Sequence, residues 1–219
     1  MPFDSSTVDT VNYWIAMAGT VAFAVTAVLA VAPKGVDIFG VVVLGVITAI
    51  GGGTVRDLVL DVPVFWSLEL EYIWVAVGAS LAAFWANSLF TQKQVYKLML
   101  YIDALGVSLF AIEATAKVWK LEFGLPLGPI MLGVVTAIGG GLIRDVLAGR
   151  QNLLMKRELY AIPVLFGCSV FVFILANFPE HGYLGAAVCL TGIFGLRAAA
   201  IKWDLSVPDW LATKTKDEP

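Results

Sequence analysis

The chain has 219 residues, 59% of them hydrophobic and 14% charged, with a net charge of −3 and a mean hydropathy of +0.87. Soluble domains carry about 25% charged residues, so a water-soluble globular protein is excluded. No nucleic-acid partner is expected. Runs of about 20 apolar residues recur along nearly the whole chain, each close to the ~30 Å needed to cross a bilayer. The composition therefore specifies an all-α integral membrane protein.

The N-terminus, Met1-Pro2-Phe3-Asp4, has no basic region or cleavage-type site, so no signal peptide is expected. Residues 1–10 read as an extracytoplasmic N-terminus. Seven transmembrane helices then follow in chain order, at about 11–32, 36–60, 72–90, 98–118, 126–148, 159–178 and 182–200. Short connections carry the breakers: Pro33-Lys34-Gly35, Pro63, Gly124-Leu125-Pro126 and Pro179-Glu180-His181-Gly182. Residues 201–219 form a polar cytoplasmic tail, expected to be disordered after Lys202.

Basic residues set the orientation. The loops after the first, third and fifth spans and the tail hold Lys34, Lys93, Lys97, Arg150, Lys156, Arg157, Lys202, Lys214 and Lys216. The opposite side holds Lys117 and Lys120. This distribution places the N-terminus outside and the C-terminus in the cytoplasm. Tyr13, Trp14, Trp66, Tyr72, Trp74, Tyr96, Tyr101, Trp119, Tyr160, Tyr183 and Trp203 fall near span ends, as interfacial belts require.

The second and fifth spans contain one motif twice. Ala49-Ile50-Gly51-Gly52-Gly53-Thr54-Val55-Arg56-Asp57 returns 88 positions later as Ala137-Ile138-Gly139-Gly140-Gly141-Leu142-Ile143-Arg144-Asp145. Gly19, Phe23, Ala24 and Ala27 match Gly106, Phe110, Ala111 and Ala114 at a shift of 87, as Glu71 matches Glu158. The repeated unit thus has three spans, with repeat one at 11–97, repeat two at 98–181 and a seventh helix at 182–200. Three is odd, so the second unit enters from the other side. The result is a pair of inverted three-helix repeats.

Three consecutive glycines disfavour a helix, and a charged pair beyond them is costly in hydrocarbon. Helices 2 and 5 are therefore expected to be broken at Gly51–Gly53 and Gly139–Gly141. Broken ends expose carbonyls suited to cations and N–H groups suited to anions. Transient K⁺ or Na⁺ sites near both triplets follow from this reading. Before each break runs a small-residue ridge, Gly45-xxx-Ala49-xxx-Gly53 and Gly133-xxx-Ala137-xxx-Gly141, which also suits close helix packing.

Arg56, Asp57, Arg144 and Asp145 are candidate gate or lining charges. Neighbours on a helix project in different directions, so Arg56 is free to meet Asp145 or Asp103 across the repeat axis. On the fourth span Asp103, Gly106, Phe110, Glu113 and Lys117 share one face, with Glu113 and Lys117 an i,i+4 pair. Asp103 is a candidate lining residue or arginine partner. Thr48, Thr136 and Ser108 add candidate oxygens, although such hydroxyls usually bond back to their own helix. Arg197 lies near the cytoplasmic end of the seventh span, so its replacement is expected to matter less than that of Arg144.

Cys168 and Cys189 fall mid-span and read as small core residues. His181 is the only histidine and sits in a loop; no metal-site spacing and no cofactor motif is present. An enzyme is not expected. The triple glycine before Thr54 has a faint phosphate-loop look, but no Gly-Lys-Ser/Thr follows.

The doubled A-I-G-G-G-x-x-R-D motif, each copy in the second span of a three-span unit, resembles the trimeric intracellular cation channel family. The prokaryotic branch, whose members include proteins described as glycine transporters, is the nearer match. The resemblance covers residues 12–200. It implies a homotrimer in the plasma (inner) membrane of a prokaryote, in contact with membrane lipids. Each protomer would hold its own pathway, lined at Gly51–Gly53 and Gly139–Gly141. The long basic tail of the eukaryotic branch is missing, so phosphoinositide regulation does not carry over. Asp103 stands where the first repeat has Ala16, which makes the pathway electrically asymmetric.

Two functions remain open at this point. One is a channel for the monovalent cations K⁺ or Na⁺, with Asp57, Asp103 and Asp145 as ligands and arginines as gates. The other is a carrier for a small zwitterion such as glycine, its carboxylate held by an arginine and its ammonium by an aspartate. A purely structural assembly protein is a third reading, in which neutralising Arg144 alters stability alone.

Overall fold

The computed structural model describes residues 5–208 except 87, 88, 90 and 157. The N-terminal tetrapeptide, Arg157, Lys214 and Lys216, all used in the sequence reading, lie outside the described residues, as does the end of the third span. The described chain is helical throughout. Its helices are α1 (Ser5–Val31), α2 (Ile38–Val59), α3 (Phe65–Leu68), α4 (Glu71–Ala86), α5 (Gln92–Lys120), α6 (Leu127–Leu147), α7 (Ala161–Asn177) and α8 (Gly182–Trp203). The protein is an all-helical integral membrane protein.

Eight α-helices stand among the described residues, where seven membrane spans were expected. The extra one, α3, is a single turn in the connection between α2 and α4. Five helices are long and apolar enough to cross a bilayer, those containing residues 10–34, 38–59, 93–120, 127–147 and 179–203. The helices α4 and α7 are shorter, with 16 and 17 residues. At 1.5 Å per residue they reach about 24–26 Å, below the usual hydrocarbon thickness.

Local chemistry sets the boundaries. Gly35 takes the left-handed conformation, φ +65°, that turns the chain out of α1. Asp37 then caps α2 by accepting a hydrogen bond from the Gly40 amide at 2.8 Å. Thr91 opens α5, with its own amide donating 3.0 Å to Gln94 Oε1 in a capping box. The tail is partly ordered, contrary to expectation: past Trp203 it turns back, the Leu159 amide donates to the Leu205 carbonyl, and Glu158 bridges to Ser206.

The helices α1 and α5 form the centre. The first packs on α2, α4 and α5, and the second on α1, α6, α7 and α8, while α2 crosses α6. Small residues permit this closeness, since Ala24, Ala27, Ala104, Ala111 and Ala114 are all fully buried. Phe23 and Phe110 stack between α1 and α5, with ring centroids 5.4 Å apart and planes at 10°. Outward faces carry Phe39, Trp74, Phe166 and Leu184, each more than 60% exposed, which suits hydrocarbon and would be costly in water.

One expectation fails outright. Hydrogen-bonded α-helix continues through Gly51–Gly53 in α2 and Gly139–Gly141 in α6, with no interruption. The backbone stays helical at each glycine, and the missing side chain is used for contact instead. A Cβ on Gly52 would strike the Thr136 carbonyl oxygen, and one on Gly140 would strike that of Thr48. Glycine triplets lower helix propensity, but packing of two helices outweighs about 1 kcal/mol per residue. Close packing of α2 on α6 is made here by Gly52 and Gly140, which lie off the two ridges, and no half-helix end exists there to present carbonyls or N–H groups.

Candidate functional site

Two charge clusters sit at opposite ends of the helical bundle, both built on α5. Asp103 and Glu113 are ten residues apart on that helix, about 15 Å along its axis.

At one end, Arg56 Nε donates 2.8 Å to Asp57 Oδ1 and Nη1 donates 2.6 Å to Glu113 Oε2. Lys117 Nζ also donates to Asp57 Oδ1, at 2.8 Å, and the Phe65 amide donates 2.9 Å to Asp57 Oδ2. Two positive and two negative groups balance. Arg56 and Asp57 are buried, whereas Glu113 and Lys117 keep 15% and 28% of their side chains exposed.

At the other end, Arg144 Nε donates 2.9 Å to Asp145 Oδ1 and Nη1 donates 2.6 Å to Asp103 Oδ1. The Leu153 amide donates 3.2 Å to Asp145 Oδ2. Arg197 of α8 supplies the fourth charge. Its Nη1 donates 3.1 Å to the Leu159 carbonyl, its guanidinium carbon lies 4.5 Å from the Tyr160 ring centre, and its Nη2 stands 4.0 Å from Asp103 Oδ2. This cluster is also neutral, and it is almost wholly buried.

The contacts recur at the shift of the sequence motif. Arg56–Asp57 and Arg144–Asp145 pair alike, and each aspartate captures the amide eight residues on. Tyr72 and Tyr160, also 88 apart, are both buried beside their cluster. The departures fall on α5 and α8: Glu113 and Lys117 serve the first cluster, Asp103 and Arg197 the second.

Several sequence expectations are corrected by this geometry. Each motif arginine does pair with its own neighbouring aspartate, because the Arg side chain is long enough to fold back. Arg56 reaches neither Asp145 nor Asp103; it meets Glu113. Glu113 and Lys117 each turn to α2. Thr136 Oγ1 donates 2.6 Å to the Leu132 carbonyl and Ser108 Oγ 2.8 Å to that of Leu105, so both are tied to their own helices. Thr48 Oγ1 is buried with no partner among the described residues. Arg197, expected to be peripheral, is fully buried in the second cluster.

A cavity of about 450 Å³ opens onto the first cluster, lined by Tyr13, Phe65, Tyr72, Phe110, Arg56 and Glu113 among others. Its wall reaches Gly53, Glu69 and Lys117. Phe110, stacked on Phe23, lies between this vestibule and the second cluster. The sequence reading missed Phe65, Tyr72, Tyr160 and Arg197. The paired tyrosines at the motif's own shift were the available signal, and Arg197 had none, because α8 lies outside the repeat. Among the described residues no three His, Cys, Asp or Glu side chains converge as metal ligands.

The chain resembles known proteins over nearly its whole length. A family model described as Glycine transporter matches residues 13–88 and 100–176. The inner membrane protein YadS of Escherichia coli K12, of the UPF0126 family, is 36% identical over 199 residues, covering 90% of this chain and 94% of that relative. The crystal structure of the TRIC trimeric intracellular cation channel orthologue from Rhodobacter sphaeroides superposes with a TM-score of 0.84 at 35% identity, covering 90% of this chain and 100% of that one. The chain belongs to the prokaryotic branch of the TRIC family. A prokaryotic TRIC channel crystallised in 0.5 M KCl also superposes, at a TM-score of 0.82 and 28% identity, over 90% of this chain and 99% of the other. The matched segments of the family model cover both motif copies and stop short of α8, so Arg197 lies beyond the part that defines the family model.

Proposed function

We propose that this protein is a cation channel, not an enzyme, passing K⁺ or Na⁺ through each protomer of a homotrimer in a prokaryotic inner membrane. The observation that carries the reading is the vestibule over the Arg56–Glu113 pair. It is an open, polar-walled cavity within an otherwise apolar bundle, aligned with a second buried charge cluster on the same helix. The resemblance to TRIC cation channels over nearly the full chain supports it.

In this reading the two halves are inverted repeats of α1, α2, α4 and α5, α6, α7, with α8 added, and seven helices span the bilayer. The vestibule faces outward and the Asp103–Arg144 cluster faces the cytoplasm, as the basic-residue distribution requires. A cation entering the vestibule meets Glu113 and Glu69 beside Arg56 and Lys117. Its route inward passes Phe110 and Phe23, then the crossing of α2 and α6 at Gly52 and Gly140, and finally Asp103. Gating then requires the aromatic stack and the Arg144 cluster to move, since buried guanidinium groups repel a cation.

A second reading has a specific observation behind it. The vestibule wall presents both signs of charge within one small cavity, which also suits a zwitterion, with its carboxylate on Arg56 or Lys117 and its ammonium on Glu113 or Glu69. The description of the matching family model points the same way. Purified protein in liposomes under a K⁺ gradient separates the two. Non-saturating K⁺ flux, followed by a potential-sensitive dye, with no uptake of radiolabelled glycine supports the channel. Saturable glycine uptake with little K⁺ flux overturns it.

A further inference from the structure

The two glycine triplets are not equivalent at their third position. A Cβ on Gly53 would press on the Phe65 ring, 2.6 Å from its nearest carbon. A Cβ on the matching Gly141 would instead stand 3.0 Å from the Tyr160 hydroxyl, 3.3 Å from Asp103 Oδ1 and 3.5 Å from Arg144 Nη2. The first glycine is faced by an aromatic ring, the second by polar atoms.

Of those three atoms Asp103 Oδ1 is held by Arg144 Nη1, while the Tyr160 hydroxyl and Arg144 Nη2 lack partners. Asp103 Oδ2, Arg144 Nη2, Tyr160 OH, Arg197 Nε and Arg197 Nη2 are all buried without a hydrogen bond to any described residue. They come from α5, α6, the residue preceding α7, and α8. A buried polar atom left without a partner is costly, and a charged one more so. Five together in one place are hard to reconcile with a dry site. The nearest pair, Arg197 Nη2 and Asp103 Oδ2, is 4.0 Å apart, too far for a direct hydrogen bond.

We propose that the unpartnered polar atoms of Asp103, Arg144, Tyr160 and Arg197 form a built site for ordered water. The chemistry of the lining selects the occupant. Guanidinium N–H groups and the tyrosine hydroxyl are donors, and the one unpaired acceptor of full strength is Asp103 Oδ2. Water accepts from the arginines, donates to Asp103 and makes the three or so bonds that buried waters usually have. A cation finds one carboxylate oxygen and two guanidinium groups. A halide satisfies the donors but leaves an uncompensated negative charge in a cluster that is already neutral. The site holds α8, which is outside the repeat, onto the repeat core through a solvent bridge between Arg197 and Asp103. The inference does not depend on whether the protein conducts cations.

The test is a high-resolution structure of the full chain in lipid nanodiscs, in KCl and again in KBr. The expected result is a solvent peak about 2.7–3.2 Å from Asp103 Oδ2 and from a guanidinium nitrogen of Arg144 or Arg197, unchanged by bromide. A bromide anomalous peak at that position overturns water in favour of an anion. No solvent peak, with Arg197 Nη2 closed directly onto Asp103 Oδ2, overturns the site altogether. Water-edited solid-state NMR on arginine-labelled protein reads the same point independently. Polarisation from water should reach the Arg144 and Arg197 guanidinium groups as fast as it reaches Arg56 at the vestibule, and Gly141→Ala should slow it several-fold. Should that variant fail to fold, the wild-type comparison decides alone: slow transfer to Arg144 and Arg197 sinks the proposal.

Discussion

Gly52 lies directly against the carbonyl oxygen of Thr136, and this contact sets how closely α2 and α6 cross. Its reciprocal, Gly140 against Thr48, makes the crossing a matched pair. Alanine at either site would drive a methyl group into backbone that has no room to rotate away. Gly52→Ala should therefore destabilise the protein by about 1–3 kcal/mol, the range for overpacking a well-filled core. Gly78→Ala is the control, because nothing lies within 4 Å of its Cβ position, and added helix propensity should leave it neutral or slightly more stable. Thermal unfolding of the two variants in detergent checks this. Equal midpoints would show that the crossing tolerates separation.

The two motif arginines should differ in what their loss does to folding. Arg144 is fully enclosed, and its removal strands Asp103 and Asp145 as buried charges. Arg144→Gln should lower stability by about 3–5 kcal/mol. Arg56→Gln should cost less, since Glu113 is partly exposed to the vestibule and Lys117 still neutralises Asp57. Adding Asp103→Asn to Arg144→Gln should restore part of the loss, because it removes one stranded charge. Unfolding midpoints of the three variants provide the comparison, and an Arg56→Gln defect as large as that of Arg144→Gln would contradict it. Arg197→Met belongs with Arg144→Gln, where the sequence alone ranked it as peripheral.

Much of this was legible in sequence because the bilayer leaves so few options. Apolar run length located every long helix to within a few residues at most ends, and the 88-residue shift located both arginine–aspartate pairs. The glycine triplets show where the reading ran out. Propensity describes an isolated helix, in which three glycines are a defect; it does not see the carbonyl of Thr136 waiting on the neighbouring helix. The Asp103–Arg144 pair was open as one of several combinations, and choosing among them needed the rotation of α5 against α6, which no single sequence encodes visibly. Arg197 was missed because it acts from a helix without a repeat partner. The turn-back of Leu205 onto Leu159 was hidden by a polar composition that reads as tail.

The Phe23–Phe110 stack gives the channel reading its sharpest functional test. The rings lie where a route from the vestibule toward Asp103 would pass, and Phe110 is itself part of the vestibule wall. Phe110→Ala should raise K⁺ flux through liposomes several-fold while lowering stability by about 3–5 kcal/mol, the usual result of truncating a buried aromatic. Phe171→Ala, similarly buried but on α7 and not part of the vestibule wall, should lower stability without raising flux. Flux that stays at the wild-type level in folded Phe110→Ala protein would move the pathway elsewhere.

Charge at the vestibule should act on cation flux with a sign that depends on which side chain is changed. Glu113→Gln removes a negative group 2.6 Å from Arg56 and leaves the wall net positive. Local cation concentration falls, and K⁺ flux should drop several-fold at low ionic strength. Lys117→Gln leaves the wall net negative and should raise flux by a similar factor, with Asp57 still held by Arg56. Both effects should shrink as salt rises, since the screening length is about 10 Å at 0.1 M and about 3 Å at 1 M. Opposite signs that converge in high salt identify an electrostatic mouth for cations. Loss of function in both variants, independent of salt, would instead indicate a site that binds its substrate through both charges, and would favour the zwitterion carrier.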